Sequence, residues 1–197
     1  MDICAMNKTA TGIIVHGRKL ACENSKNQVF LDHIEWDDGQ SVTDYMVVAP
    51  RAKTGNLITG VSVLPVMDGK YGLIRVYRHP LGDYVWEVPR GFIDEDEEPI
   101  AAARRELKEE TGLECGRGDM RPLGIIAPEA GTMAARVQLF AALNCIQNVS
   151  FRSEEFGHSE IKFFNASEMA AMAADSVIQD PGTLIAYFRL SGITARG

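Results

Sequence analysis

The sequence predicts an α/β fold carrying a small antiparallel β appendage on its N-terminal side, and three observations predict it. The stretch from Pro99 to Thr111 has the start and stop signals of a helix. Apolar runs of strand length lie on both sides of it, and two further helical patterns close the chain after Asn165. With 197 residues, 46% of them hydrophobic and 24% charged, the chain can build one substantial core and a small addition to it.

Between Thr11 and about Pro50, GIIVHG, NQVFLDHIEW and TDYMVVAP read as three strands, with Asp38-Gly39 as a hairpin turn. Residues 1–55 hold too little sequence for a core of their own. Pairing their edges with a second copy would bury the apolar faces, so a homodimer built through this segment is expected. His16 and His33 stand alone on strands and read as surface residues. The main domain is expected over 56–197, opening with a hairpin of ITGVSVLPV and YGLIRVYRH across Met67-Asp68-Gly69-Lys70.

Pro99 suits the first helical position, because its missing N–H costs nothing there. Glu95, Asp96, Glu97 and Glu98 crowd the positive end of the helix dipole, and Gly112 supplies a left-handed stop. Ile100, Ala103 and Leu107 form an apolar stripe expected to face a core. Glu106, Glu109 and Glu110 gather on a neighbouring face, where like charges repel. A hard divalent cation would remove that repulsion, since Mg²⁺ and Mn²⁺ prefer carboxylate oxygens. The competing reading is a solvated acidic face.

Spacing decides between them. Gly91, five residues, Glu97, seven residues, then Arg105-Glu106-Leu107-Lys108-Glu109-Glu110-Thr111-Gly112-Leu113 resembles the Nudix box at every defined position. The resemblance implies an α/β/α sandwich around a mixed sheet. It also implies hydrolysis of a nucleoside diphosphate linked to another moiety, with Mg²⁺ or Mn²⁺ as cofactor. By the same resemblance Glu106, Glu109, Glu110 and the backbone carbonyl of Arg90 are metal ligands, and Glu97 and Arg105 form a structural ion pair.

Around the box, Trp86-Glu87-Val88-Pro89-Arg90-Gly91 resembles the WE-x-P-x-G lead-in of the ADP-ribose pyrophosphatase branch. Pro128, sixteen residues after Gly112, resembles a mark of the same branch. In that branch an N-terminal sheet commonly helps form a dimer with shared substrate sites. The likeness makes Arg78, Glu87, Arg90, Glu129 and Thr132 substrate-binding candidates. Arg90 stands where the branch usually has a small residue, so it either meets a phosphate or pairs with a nearby acid. A loop at Arg152–Glu160 is expected to deliver a further glutamate as base or extra ligand, with Glu155 and Glu154 ranked above Glu160. His158 has the chemistry of a general base but reads as a surface histidine.

NASEMAAMAAD reads as a helix capped by Asn165 or Ser167, with Met169, Met172 and Ala173 on its core stripe. TLIAYFRL reads as a final helix stopped by Gly192, with Leu184, Ile185, Phe188 and Leu190 in the core. A net charge of −7 argues against a nucleic-acid polymer as ligand, though not against a small nucleotide whose charge a metal meets. Cys4, Cys22, Cys115 and Cys145 lack any C-x-x-C spacing and are expected as reduced thiols. With no apolar leader and no run long enough to span a membrane, a cytoplasmic location is expected.

The function these readings imply is hydrolysis of ADP-ribose to AMP and ribose 5-phosphate. The alternatives are a nucleotide sugar such as GDP-mannose, a dinucleoside polyphosphate, or a nucleotide-binding module without turnover. An isomerase acting on an isoprenyl diphosphate is a further use of the same fold.

Overall fold

The computed structural model describes residues 7–8, 12–148 and 157–194. Its first sheet contains β1 (Asn7–Lys8), β2 (Ile14–Glu23), β3 (Asn27–Glu35) and β4 (Ser41–Pro50), paired antiparallel in that order. Asn24 closes the β2–β3 turn by accepting the Lys26 and Asn27 N–H groups on its side-chain oxygen. Asp38 does the same for Gln40 in the next turn, where Gly39 takes a φ of 84°. Four strands replace the three expected, because a two-residue β1 is too short to leave any periodicity in the sequence. Cross-strand bonds tie the sheet together: Arg18 donates to both oxygens of Asp32, at 2.7 and 2.6 Å, and lies 4.8 Å from the centre of the Phe30 ring.

The remaining elements are β5 (Ile58–Met67), β6 (Lys70–Arg78), β7 (Asp83–Glu87), β8 (Arg90–Phe92), α1 (Pro99–Thr111), β9 (Leu113–Glu114), β10 (Met120–Ile126), β11 (Arg136–Ala142), β12 (Ile146–Gln147), β13 (His158–Phe164), α2 (Ala166–Ala174) and α3 (Pro181–Thr194). Seven of these strands make one sheet of order β10-β11-β5-β6-β13, with β7 beside β6 and β8 beside β5. Only β11 and β5 run parallel, so the sheet is mixed. β5 and β6 pair at Val66–Tyr71 and Met67–Lys70 and then part. Into the opening come β7 and β8, and β8 lays Arg90, Gly91 and Phe92 against Ser62, Val61 and Gly60.

Both faces of this sheet are covered. Val61, Val63, Phe140 and Ala142 pack with Ala103 and Leu107 of α1 on one side. Leu64, Leu139 and Ala141 pack with Met169 of α2 and with Ala186 and Leu190 of α3 on the other. Alternate residues of β5 therefore enter opposite cores, which is why the strand is buried from Ile58 to Pro65. The architecture is an α/β/α sandwich around a mixed sheet. Among the described residues, no helix is long and apolar enough to cross a membrane.

The helix boundaries follow their chemistry, with two corrections. Pro99 opens α1, and Gly112 ends it at a φ of 71° with its N–H on the Lys108 carbonyl. Ile100, however, is exposed, because burial begins only at Ala102 and the first turn stands clear of the core. Asn165 caps α2 in a reciprocal capping box with Glu168. α3 does not stop at Gly192 but continues to Thr194; a glycine weakens a helix by about 1 kcal/mol without forcing an end. Its buried stripe is Thr183, Ala186 and Leu190, while Phe188, off that stripe, is 75% exposed. Leu190→Ala should cost about 2–4 kcal/mol in urea unfolding and Phe188→Ser less than about 0.5 kcal/mol. Equal losses would place the core side of α3 wrongly.

Candidate active site

The site is built where α1 meets the backbone of β8. A Cβ added to Gly91 would run into the Glu106 carboxylate, so only glycine lets the two come this close. One turn on, Glu110 accepts the Arg90 N–H at 2.9 Å. Both glutamates are buried, Glu110 with 2% of its surface exposed. A buried carboxylate needs compensating donors, and here a loop backbone and a neighbouring arginine supply them.

That arginine is Arg105. It donates to both oxygens of Glu97 at 3.1 and 2.9 Å, to Glu106 at 2.7 Å, to Glu109 at 3.2 Å and to the Phe92 carbonyl at 3.0 Å. Glu97 also accepts the Asp94 N–H, which closes the acidic loop onto the helix. Hydrogen bonding from Glu97 leads the effects that raise the Arg105 pKa, against burial. The Arg105 bond likewise holds the Glu97 carboxyl below the usual carboxylate range. Glu109 is exposed at the outer edge of this group.

A second cluster adjoins it. Glu87, 2% exposed, accepts two bonds from Arg78 and forms an ion pair with Arg90 at 2.8 Å. Arg90 also donates to Asp180 at 2.8 Å. Asp180 in turn accepts the Thr183 N–H and hydroxyl, each at 2.7 Å, and the Thr183 oxygen accepts the Val88 N–H at 2.9 Å. The Glu87 bond is the first cause raising the Arg78 pKa, and the charges of Glu110 and Asp180 add to it. Of the two fates open to Arg90 from its sequence position, pairing with acids is the one seen in this conformation.

Sequence reasoning passed over Asp180 and Thr183, although Asp-Pro-x-Thr at a helix start is a capping signal that could have drawn attention to them. His158 requires a correction. Expected at the surface, its side chain is 3% exposed and its Nε2 lies 3.7 Å from Glu110 Oε1. It opens β13 beside Val76, and that pairing carries it inward. Glu160 faces outward and pairs with Lys162 at 2.9 Å and Arg75 at 3.5 Å. Glu129 and Thr132 lie on the loop between β10 and β11, where Glu129 accepts the Gly131 N–H. Glu154 and Glu155 fall outside the described residues.

The donor chemistry of Glu106, Glu109, Glu110 and the Arg90 carbonyl, all hard oxygens, fits a divalent cation. Among the described residues no three His, Cys, Asp or Glu side chains stand together closely enough to hold an ion, and Arg105 bonds two of the glutamates. Cavities of about 150 Å³ beside Arg104 and Cys115, and about 110 Å³ between Lys26 and Phe92, lie off this cluster. Both are smaller than a nucleotide pocket. Of the cysteines described, Cys22, Cys115 and Cys145 are free thiols, and burial pushes the Cys145 thiol up to about 12.

The model of the NUDIX domain family matches residues 56–184, and the chain belongs to that family. Its members generally need divalent metal ions. The chain is 43% identical over 65 residues to the ADP-sugar pyrophosphatase of Mus musculus, covering 30% of each. It is 29% identical over 150 residues to the methanol dehydrogenase activator of Bacillus methanolicus, covering 76% of this chain and 74% of the relative. A solved structure described as "Crystal structure of ADP compounds hydrolase" superposes with a TM-score of 0.78 at 19% identity, covering 97% of this chain and 99% of that one. The chain thus spans less than a third of the mouse protein's length, and the structural likeness speaks for the fold.

The Glu97–Arg105 pair generates a prediction about pH. Because the folded protein holds the Glu97 pKa down, the pair's contribution is present above the unfolded pKa and is lost as pH falls through the folded one. Glu97→Gln should lower stability by about 1 kcal/mol at pH 7 and by less in acid. Thermal melts at both pH values test this; a loss that grows on acidification would be the wrong sign.

Proposed function

We propose that the chain hydrolyses the diphosphate linkage of a nucleoside diphosphate joined to another moiety, with ADP-ribose as substrate and AMP and ribose 5-phosphate as products. The observation that carries this reading is the approach of Glu106 and Glu110, on α1, to the backbone of Arg90 and Gly91. Family membership and the name of the mouse relative support it. A bound Mg²⁺ or Mn²⁺ would neutralise phosphate charge and acidify a water. Glu106, Glu109, Glu110 and the Arg90 carbonyl would hold the ion, and Glu97 with Arg105 would keep the loop closed on the helix. Arg78 and Arg90, anchored on buried Glu87, offer guanidinium edges to the diphosphate. Glu129 and Thr132 would contact the rest of the substrate, and a glutamate at 154 or 155 would complete the site.

Product chromatography over ADP-ribose, GDP-mannose and a dinucleoside polyphosphate tests the substrate. Turnover should require Mg²⁺ or Mn²⁺ and stop in excess chelator while the circular dichroism spectrum holds. Glu110→Gln keeps an acceptor for the Arg90 N–H but removes charge, so kcat should fall about a hundredfold or more with little change in melting. Full turnover in chelator, or by Glu110→Gln, would sink the metal mechanism.

The assignment of residues 1–55 as a dimerisation element belongs to the same reading. Leu20, Val42 and Met46 are exposed on the first sheet and Trp36 just past the end of β3, which suits burial against a second copy. Light scattering at micromolar concentration should give twice the chain mass, and a variant lacking residues 1–55 should not dimerise. A monomeric full chain would overturn this part alone.

A further inference from the structure

The loop between β10 and β11 is attached to a strand far from it in sequence. Val48 of β4 donates its N–H to the Thr132 carbonyl at 2.7 Å and accepts the Ala134 N–H at 2.9 Å, a parallel bridge around Met133. Three residues earlier on β4, the Tyr45 hydroxyl donates to the Gly131 carbonyl at 2.7 Å. Three hydrogen bonds thus hold residues 131–134 against the first sheet. The loop's own bonds are local: Thr132 and Met133 donate to the Glu129 carbonyl, and Gly131 donates to the Glu129 side chain.

The other end of the loop leads to the charged cluster. A Cβ on Gly182 would sit 3.8 Å from Ile126, the last residue of β10, and 3.2 Å from the Asp180 carboxylate. Asp180 holds Arg90. A loop of this length without regular structure of its own samples many conformations unless something fixes it, and fixing it beforehand removes an entropic cost from binding.

From these contacts we infer that β4 is the positioning strand for the 129–134 loop within one chain, and that Tyr45 is a positioning residue for substrate binding. The inference rests on the proposed function insofar as Glu129 and Thr132 meet the substrate. It adds that the first sheet shapes the site from its own chain, apart from any part it has in a dimer. Tyr45 acts by holding the loop backbone, so its loss raises KM and leaves kcat nearly unchanged.

Tyr45→Phe removes the hydroxyl and keeps the ring. In the full chain, KM for ADP-ribose should rise about fivefold, the size of one lost hydrogen bond, with kcat within about twofold. Hydrogen–deuterium exchange at Gly131, Thr132, Met133 and Ala134 should quicken in the same variant, while α1 exchanges as in the parent. Unchanged exchange at these amides would overturn the clamp. Faster exchange with an unchanged KM, or a fall in kcat at constant KM, would overturn the positioning role. Should the parent protein turn over GDP-mannose instead of ADP-ribose, the substrate assignment fails and the KM comparison is made with GDP-mannose. Should it turn over nothing, the proposed function fails and the exchange comparison still decides the clamp.

Discussion

The site depends on one close approach, that of the Glu106 carboxylate to the backbone at Gly91. Any side chain there would collide with the glutamate, whose carboxylate would have to swing away from the β8 backbone and out of this arrangement. The strand and the helix themselves are held in place. β8 is hydrogen-bonded to β5, the most buried strand, and α1 contributes Ala102, Ala103 and Leu107 to the core beneath it. A missing Cβ thus leaves room for the Glu106 carboxylate against the strand backbone, between two elements that the core holds in place.

Arginines then determine how so many acids coexist. Without counter-charge, Glu87, Glu106, Glu110 and Asp180 would be buried anions in one region, at a cost of several kcal/mol each. Arg105 meets the box acids, and Arg78 and Arg90 meet Glu87 and Asp180. None of the three is fully covered. Under the proposed function, their exposed edges are what a substrate's phosphates would meet while each buried acid keeps a partner. That is a different economy from a plain basic patch, which would bind phosphates at random over an open surface.

Much of this was legible in sequence because it is local. The start and stop of α1, the Asp38-Gly39 turn and the β5–β6 hairpin each depend on a few adjacent residues, and all appear where the pattern puts them. The residues misread depend on partners far along the chain. His158 is polar and follows a glycine, yet its strand neighbour at Val76 draws it into the site. Phe188 and Ile100 are apolar and correctly placed in helices, but α3 buries the face of Thr183, Ala186 and Leu190, and α1 buries nothing before Ala102. Asp180 lies ninety positions from Arg90. Periodicity can say which face of an element is apolar; it cannot say what that face meets.

The same distinction bears on the N-terminal sheet. Its strands read as an appendage because nothing in them carries chemistry, and an appendage invites explanation by association with another copy. The backbone bonds between Val48 and Thr132 and Ala134 tie it to the main domain in a way that leaves no mark in residue type, since main-chain groups make them. A strand that presents one free N–H and one free carbonyl to a loop can hold that loop whatever its side chain is. Only Tyr45, whose hydroxyl reaches Gly131, ties the contact to a particular residue. Exchanging that tyrosine therefore probes the clamp while leaving the sheet's exposed apolar residues, and any association they support, intact.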